Sequence, residues 1–203
     1  MYIPHYYKNE NLAEVKEFIR QNAFGILVNQ VDGKPWATHI PLELENIEGK
    51  DVLLGHIAKA NPQWKSFSEQ GEVLCIFSGP HAYVSSSWYK DEEVPTWDYI
   101  AVHVYGKLVI LDEDQTMQAL HRLVDRYEAS SEKPLSLDNL SPKTLRQVKG
   151  VVGFSIEIHE IEAAYKLSQT RKDDHVAIIK NLSRRGVTEN EIARHIKKQS
   201  NNN

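Results

Sequence analysis

The sequence predicts an α+β fold that is mainly β: an antiparallel six-stranded β-barrel with surrounding helices and a C-terminal helical pair. Three observations point there. Segments that alternate apolar and polar residues with period two outnumber the helical segments that could serve as crossovers between parallel strands. No glycine-rich strand-to-helix turn of the kind that cradles phosphates in doubly wound folds occurs. The 203 residues are 41% hydrophobic, 9% aromatic and 26% charged, which fits one packed domain with a small appendage and excludes collagen-like, disordered and disulfide-rich classes.

In chain order, a first helix is predicted from Asn11 to about Asn22, with Asn11 as cap, Glu14 closing a capping box, and Leu12, Val15 and Ile19 on one face as a lid. Strands follow at Phe24 to Val31, Trp36 to Leu44 and Asp51 to Ile57, the first two joined by the Val31-Asp32-Gly33-Lys34 turn. Asn61-Pro62 supplies a cap followed by proline at the first helical position. A short helix carrying Trp64 and Phe67 and ending at Gly71 should plug the barrel end. Val73 to Phe77 and Tyr99 to Leu111 are the next strands, separated by an aromatic, hydroxyl-rich loop. Asp114 to Glu128 is amphipathic through Met117, Leu120, Val124 and Tyr127, and Ser141-Pro142 opens a short helix with Leu145 and Val148. Val151 to Ile158 is the sixth strand. Ala164 to Ser168 then leads into a polar cluster, and two helices close the chain: His175 to Arg185, ended by Gly186, and Thr188 to Lys198, started by Thr188 and Glu191, with Asn201 to Asn203 fraying.

Charge narrows the partners. With 24 Lys and Arg against 28 Asp and Glu the net charge is −4, so no global positive field draws the chain to nucleic acid or anionic lipid, and a DNA contact needs a local patch. The single cysteine, Cys75, sits in an apolar run, which rules out an intramolecular disulfide and fits a reducing cytoplasm. Met1 to Asn11 has no apolar signal core and no stretch of about 18 apolar residues occurs, so no membrane span is expected. The nine histidines show no metal-ligand spacing, and His56, His81, His103 and His159 lie far apart.

Chemistry concentrates in two places. Gly79 to Tyr89, Val94 to Tyr99 and Val102 to Gly106 crowd tryptophan, tyrosine and hydroxyl side chains together. Aromatic walls with a few placed hydroxyls suit a flat heteroaromatic ligand, though an aromatic plug in the barrel wall would use the same residues. Parity puts Ile100, Val102 and Val104 on one strand face and Tyr99, Ala101, His103 and Tyr105 on the other, which suggests a ligand cleft or a subunit interface. The second place is Lys166-Leu167-Ser168-Gln169-Thr170-Arg171-Lys172, whose cations and hydroxyls suit a phosphate monoester as well as a solvated loop.

The motifs Met1-Tyr2-Ile3-Pro4, Gly55 to Trp64, Gly79-Pro80-His81 to Tyr89, Val94-Pro95-Thr96-Trp97, Val102-His103-Val104-Tyr105-Gly106 and Lys166-Leu167-Ser168-Gln169 stand in the order of a known family. The chain resembles the FMN-binding, PaiB-type negative transcriptional regulators over nearly its whole length. That resemblance implies a flavin-reductase-like split barrel at 1–173, a helical appendage at 174–203, and an obligate homodimer with FMN in clefts between the barrels. The implied cofactor-binding positions are His56, Trp88, Tyr89, Thr96, Trp97, His103, Lys166, Ser168, Gln169 and Arg171. Ser86 stands where the family has proline, Asp98 where it has asparagine, and Thr170 and Lys172 where it has asparagine and serine. A carboxylate at Asp98 would repel a dianionic phosphate unless a cation neutralises it.

The expected function is therefore an FMN-binding, cytoplasmic, homodimeric transcriptional regulator. The DNA-facing candidate is the terminal helix pair with Arg184, Arg185, Arg194, Lys197 and Lys198, an arrangement that is more often a packing appendage. The rivals are a flavin-dependent oxidoreductase, for which no acid, base or substrate pocket can be named, and a cofactor-free interaction dimer.

Overall fold

The computed structural model describes residues 1–67 and 72–201. Strands β1 (Phe24–Val31), β2 (Lys34–Ile47), β3 (Lys50–Ala58), β4 (Glu72–Val84), β5 (Thr96–Ile110) and β6 (Val151–Lys166) close into a barrel in the order β1-β2-β3-β6-β5-β4. Five α-helices accompany them among the described residues: α1 (Leu12–Gln21), α2 (Glu113–Glu128), α3 (Pro142–Leu145), α4 (His175–Leu182) and α5 (Val187–Asn201). None of these helices is long and apolar enough to cross a membrane. The chain divides into two compact units, Lys16–Phe77 with Val104–Ile161, and Met1–Val15 with Ser78–His103 and Glu162–Asn203.

In the first unit, antiparallel hairpins join β1 to β2 and β2 to β3. Asp32 and Gly33 at φ 50° and 75°, and Glu48 and Gly49 at φ 52° and 82°, hold the left-handed conformations whose twist matches paired strands. The core holds Leu27, Leu42, Leu53, Phe154 and Ile156. Gly55 is required there, because a Cβ would lie 2.6 Å from the Phe154 ring, which also packs edge-on against Phe67 with centroids 5.6 Å apart.

The plug after Asn61 is a 3-10 turn, Pro62–Ser66, and its buried residues are Gln63 and Ser66 where the sequence favours Trp64. The Gln63 amide donates to Asn29 Oδ1 at 2.9 Å and its carbonyl oxygen accepts from Thr38 at 2.5 Å, so a satisfied polar network fills the space. The Trp64 indole instead spends its N–H on the Lys59 carbonyl at 2.9 Å. The expected stop at Gly71 lies outside the described residues. Helix α2 starts with a reciprocal Asp112–Gln115 capping box and presses Thr116 into the notch left by Gly153. Buried Glu43 is held by Arg126 at 2.5 Å and the Tyr127 hydroxyl at 2.8 Å. The thiol of Cys75 is fully buried, which pushes its pKa up and makes it a core atom.

In the second unit three strand boundaries move, with β5 starting at Thr96 where the sequence predicts Tyr99. β4 continues through Gly79-Pro80-His81 to Val84, a stretch the sequence predicts as loop, because Ala82 and Val84 are buried while His81 and Tyr83 face outward. Pro80 is tolerated because it lies beyond Leu74–Ile76, the part of β4 paired with β1. β6 runs eight residues past its expected end at Ile158, to Lys166, since Ala163, Ala164 and Tyr165 are all buried and no alternation marks them. The N-terminal segment adds to it through an Ala164–Lys8 bridge and the Asn9 N–H to the Ala163 carbonyl at 2.9 Å. Asn11 caps α1 through the Glu14 N–H at 3.2 Å, but the Glu14 carboxylate turns to Asn9 and Lys198, leaving the capping box half made. Val15 is buried and Leu12 is 56% exposed, so Leu12 falls outside the buried stripe. Helices α4 and α5 pack through Ile178, Leu182, Ile192, Ala193 and Ile196. α4 stops at Leu182 and α5 starts at Val187, one residue before the expected Thr188, with the Asn190 N–H on the Gly186 carbonyl.

Candidate functional site

The site forms in the second unit where the end of β6 meets the start of β5. Lys166, the last residue of β6, donates to the Thr96 hydroxyl and to the Trp97 carbonyl, and its ammonium lies 3.7 Å from Asp98 Oδ1 and 5.7 Å from the centroid of the Tyr7 ring. Leu167 is buried. Ser168 then takes φ 54°, a left-handed conformation disfavoured for a residue with a Cβ, and three contacts hold it there. Its hydroxyl donates to Asp98 Oδ2 at 2.7 Å, and its carbonyl accepts from the Arg171 N–H at 2.9 Å and from His175 Nε2 at 2.8 Å. Gln169 closes the same turn on itself, accepting from the Leu167 N–H and donating to the Tyr165 carbonyl.

This turn delivers Arg171 to the surface. Its guanidinium stacks 4.2 Å from the centroid of the Tyr89 ring and pairs at 3.1 Å with Glu93, whose own side chain is 47% exposed. Beside it, Arg185 covers Trp88 at 4.6 Å and donates to the Tyr83 carbonyl. Tyr83 and His81 approach Trp97 with centroids 5.8 and 6.1 Å apart, and Trp97 is 56% exposed. A cluster of mutually tilted aromatic rings thus stands near two cations, Arg171 and Arg185.

Electrostatics separate the charges. Asp98 is fully buried, and burial raises its pKa against the opposing pull of the Ser168 hydrogen bond and the Lys166 charge. Burial likewise lowers the Lys166 pKa, with Asp98 opposing. Asp98 therefore acts as an internal acceptor for Ser168, and the nearby ammonium supplies the neutralising cation that the sequence argument demands. The Tyr89 hydroxyl is buried without a hydrogen-bond partner among the described residues, and its pKa is raised, first by burial.

Of the ten positions the resemblance implies, Thr96, Trp97, Lys166 and Ser168 converge around Asp98, Gln169 shapes the turn, and Tyr89 meets Arg171. Trp88 is under Arg185. His103 lies on the half-buried face of β5, with burial, then the Met1 ammonium, lowering its pKa and Glu162 raising it. His56 belongs to the first unit, on β3 opposite Gly153, and burial lowers its pKa. Sequence reasoning did not find Tyr7, Glu93 or His175, and it placed Arg185 on a DNA-facing list; none of these carries a local motif that ties it to the loop.

Residues 1–160 match the protein family described as "Putative FMN-binding domain". The chain is similar to protease synthase and sporulation protein PAI 2 of Bacillus subtilis strain 168, at 46% identity over 184 residues, covering 90% of this chain and 89% of that protein. Among solved structures, the flavocytochrome Anf3 from Azotobacter vinelandii matches with a TM-score of 0.62 at 16% identity, over 79% of this chain and 70% of that one. The FAD and heme binding protein from Mycobacterium smegmatis matches with a TM-score of 0.62 at 14% identity, over 84% and 80%. At such identities the structural likeness is one of fold. The family match ends at residue 160, ahead of the Lys166–Arg171 turn.

Proposed function

Because this chain belongs to the PaiB-type family of FMN-binding proteins, we propose that it works as a homodimeric, FMN-binding transcriptional regulator in the cytoplasm whose flavin phosphate is recognised at Arg171 and Lys166. The observation that carries this reading is Arg171 stacked on Tyr89, with Lys166 held on the Thr96 hydroxyl and the Trp97 carbonyl close to the same loop. The residues fit the cofactor. Arg171 is held by a surface carboxylate that a phosphate can displace, the orphan Tyr89 hydroxyl offers a donor beside it, and Asp98 is screened from the surface by burial and Lys166. When bound, FMN supplies a flat redox-active ring with an anionic tail. Ser168 and Gln169 contribute by holding the turn, since the Ser168 hydroxyl and both polar atoms of the Gln169 amide are spent inside the protein.

The exposed Trp97 and Tyr83 rings support a dimer, because a lone chain leaves them wet. Direct DNA contact would fall to Arg184, Arg194 and Lys197, as Arg185 lies over Trp88 and Lys198 pairs with Glu14 at 2.7 Å. The test is a titration of FMN and of riboflavin by flavin fluorescence quenching, with light scattering on the same samples. FMN binding well ahead of riboflavin by a particle of twice the chain mass is expected. Equal affinities, or a monomer at micromolar concentration, would overturn the reading.

A further inference from the structure

A chain of hydrogen bonds leads from the candidate phosphate turn to the last helix. Asp98 Oδ2 accepts from the Ser168 hydroxyl at 2.7 Å, the Ser168 carbonyl accepts from His175 Nε2 at 2.8 Å, and His175 Nδ1 shares a 2.8 Å hydrogen bond with the Ser200 hydroxyl of α5. The Ser200 hydroxyl also lies 2.9 Å from the Ile196 carbonyl, one turn back in the helix, and with Nε2 donating to Ser168 its single proton goes either there or to Nδ1. His175 is 7% exposed and Ser168 is 4% exposed, so water competes poorly for the contacts among Asp98, Ser168 and His175, whereas Ser200 is itself exposed. The link bears on the least favourable backbone conformation of the turn. Ser168 holds φ 54° only while its surroundings over-determine it, and the imidazole is one of the two donors on its carbonyl.

We propose that His175 is a positioning residue which, anchored by Ser200, holds Ser168 in its left-handed conformation and thereby couples docking of the C-terminal helix α5 to recognition of the flavin phosphate. This rests on the reading of Lys166–Arg171 as the phosphate turn. The coupling is reciprocal: a ligand that stabilises the turn also stabilises α5 on it, and a change in α5 shifts phosphate affinity. Riboflavin, which lacks the phosphate, should be insensitive to the link. The helix pair, with Arg184 in its connection and Arg194 and Lys197 on α5, would thus sense whether the turn is filled.

The test titrates FMN and riboflavin into wild type, His175→Ala, His175→Gln, Ser200→Ala and Arg171→Ala, and follows amide exchange of residues 187–201 with each flavin. His175→Ala should weaken FMN about tenfold, as expected for loss of one buried hydrogen bond, with riboflavin unchanged. His175→Gln, whose amide can still donate to the Ser168 carbonyl, should recover most of the loss, and Ser200→Ala should show the same selective loss in smaller measure. FMN, but not riboflavin, should slow exchange in α5 of wild type, and Ser200→Ala should reduce that difference. If Arg171→Ala loses its preference for FMN while His175→Ala and Ser200→Ala keep theirs, the coupling is wrong and the phosphate turn stands. If Arg171→Ala keeps the preference, the phosphate lies elsewhere and the coupling falls with that reading. Should His175→Ala fail to fold, an unchanged FMN preference in Ser200→Ala overturns the proposal by itself.

Discussion

Replacing Asp98 by alanine removes the acceptor that holds the Ser168 hydroxyl at 2.7 Å and the counter-charge 3.7 Å from the Lys166 ammonium. A hydrogen bond to a charged acceptor contributes about 2 kcal/mol. A partly buried ammonium deprived of its carboxylate adds about 1 kcal/mol, less than the usual cost of breaking a buried pair because Lys166 keeps Thr96 and the Trp97 carbonyl. Asp98→Ala should therefore lose about 3 kcal/mol, a fall in Tm of roughly 6–12 °C at this chain length. Asp98→Asn keeps an oxygen for Ser168 and should stay within about 1 kcal/mol of wild type at pH 7. The pH dependence has a definite sign. Burial raises the folded-state pKa of Asp98 above its unfolded value, so its contribution to stability is complete below about pH 4 and is lost as pH rises through the raised folded value. The advantage of wild type over Asp98→Asn should then be larger at pH 5 than at pH 8. Thermal and urea melts of the three proteins at both pH values provide the measurement. Equal losses in the alanine and asparagine variants, or a wild-type advantage that grows with pH, would refute the reasoning.

Arg171→Ala should weaken FMN by about 2 kcal/mol, roughly thirtyfold, while riboflavin binds as in wild type, read by fluorescence titration. Gly106→Ala should cost about 3 kcal/mol in urea unfolding, because a Cβ there meets the backbone carbonyl of Glu157, which cannot rotate away. Arg126→Ala should cost a similar amount, about 3 kcal/mol, since it leaves the buried Glu43 carboxylate with only the Tyr127 hydroxyl; a shift in urea midpoint below a third of that would show that water replaces the guanidinium.

The sequence by itself determined the barrel. Alternation over Phe24 to Val31, the Asp32-Gly33 turn, the caps at Asn61 and Ser141 and the buried stripe Ile100, Val102, Val104 are local signals, set by side-chain direction and backbone conformation within a few residues, and they appear in the structure. The cations, hydroxyls and aromatics of the candidate site were legible for the same reason, as clusters of residue type. Only the tertiary structure decided what each polar atom is joined to. Ser168 and Asp98 stand 70 positions apart, and nothing near either residue says that a hydroxyl of the phosphate turn is committed to an internal carboxylate. Gln63 buried in preference to Trp64, β4 carried through Pro80, and His175 set between Ser168 and Ser200 are likewise long-range outcomes. Periodicity records which face of an element is apolar, whereas a hydrogen-bond partner is chosen by whatever the closed barrel and docked helices bring within about 3 Å, and that choice leaves no repeat in the chain.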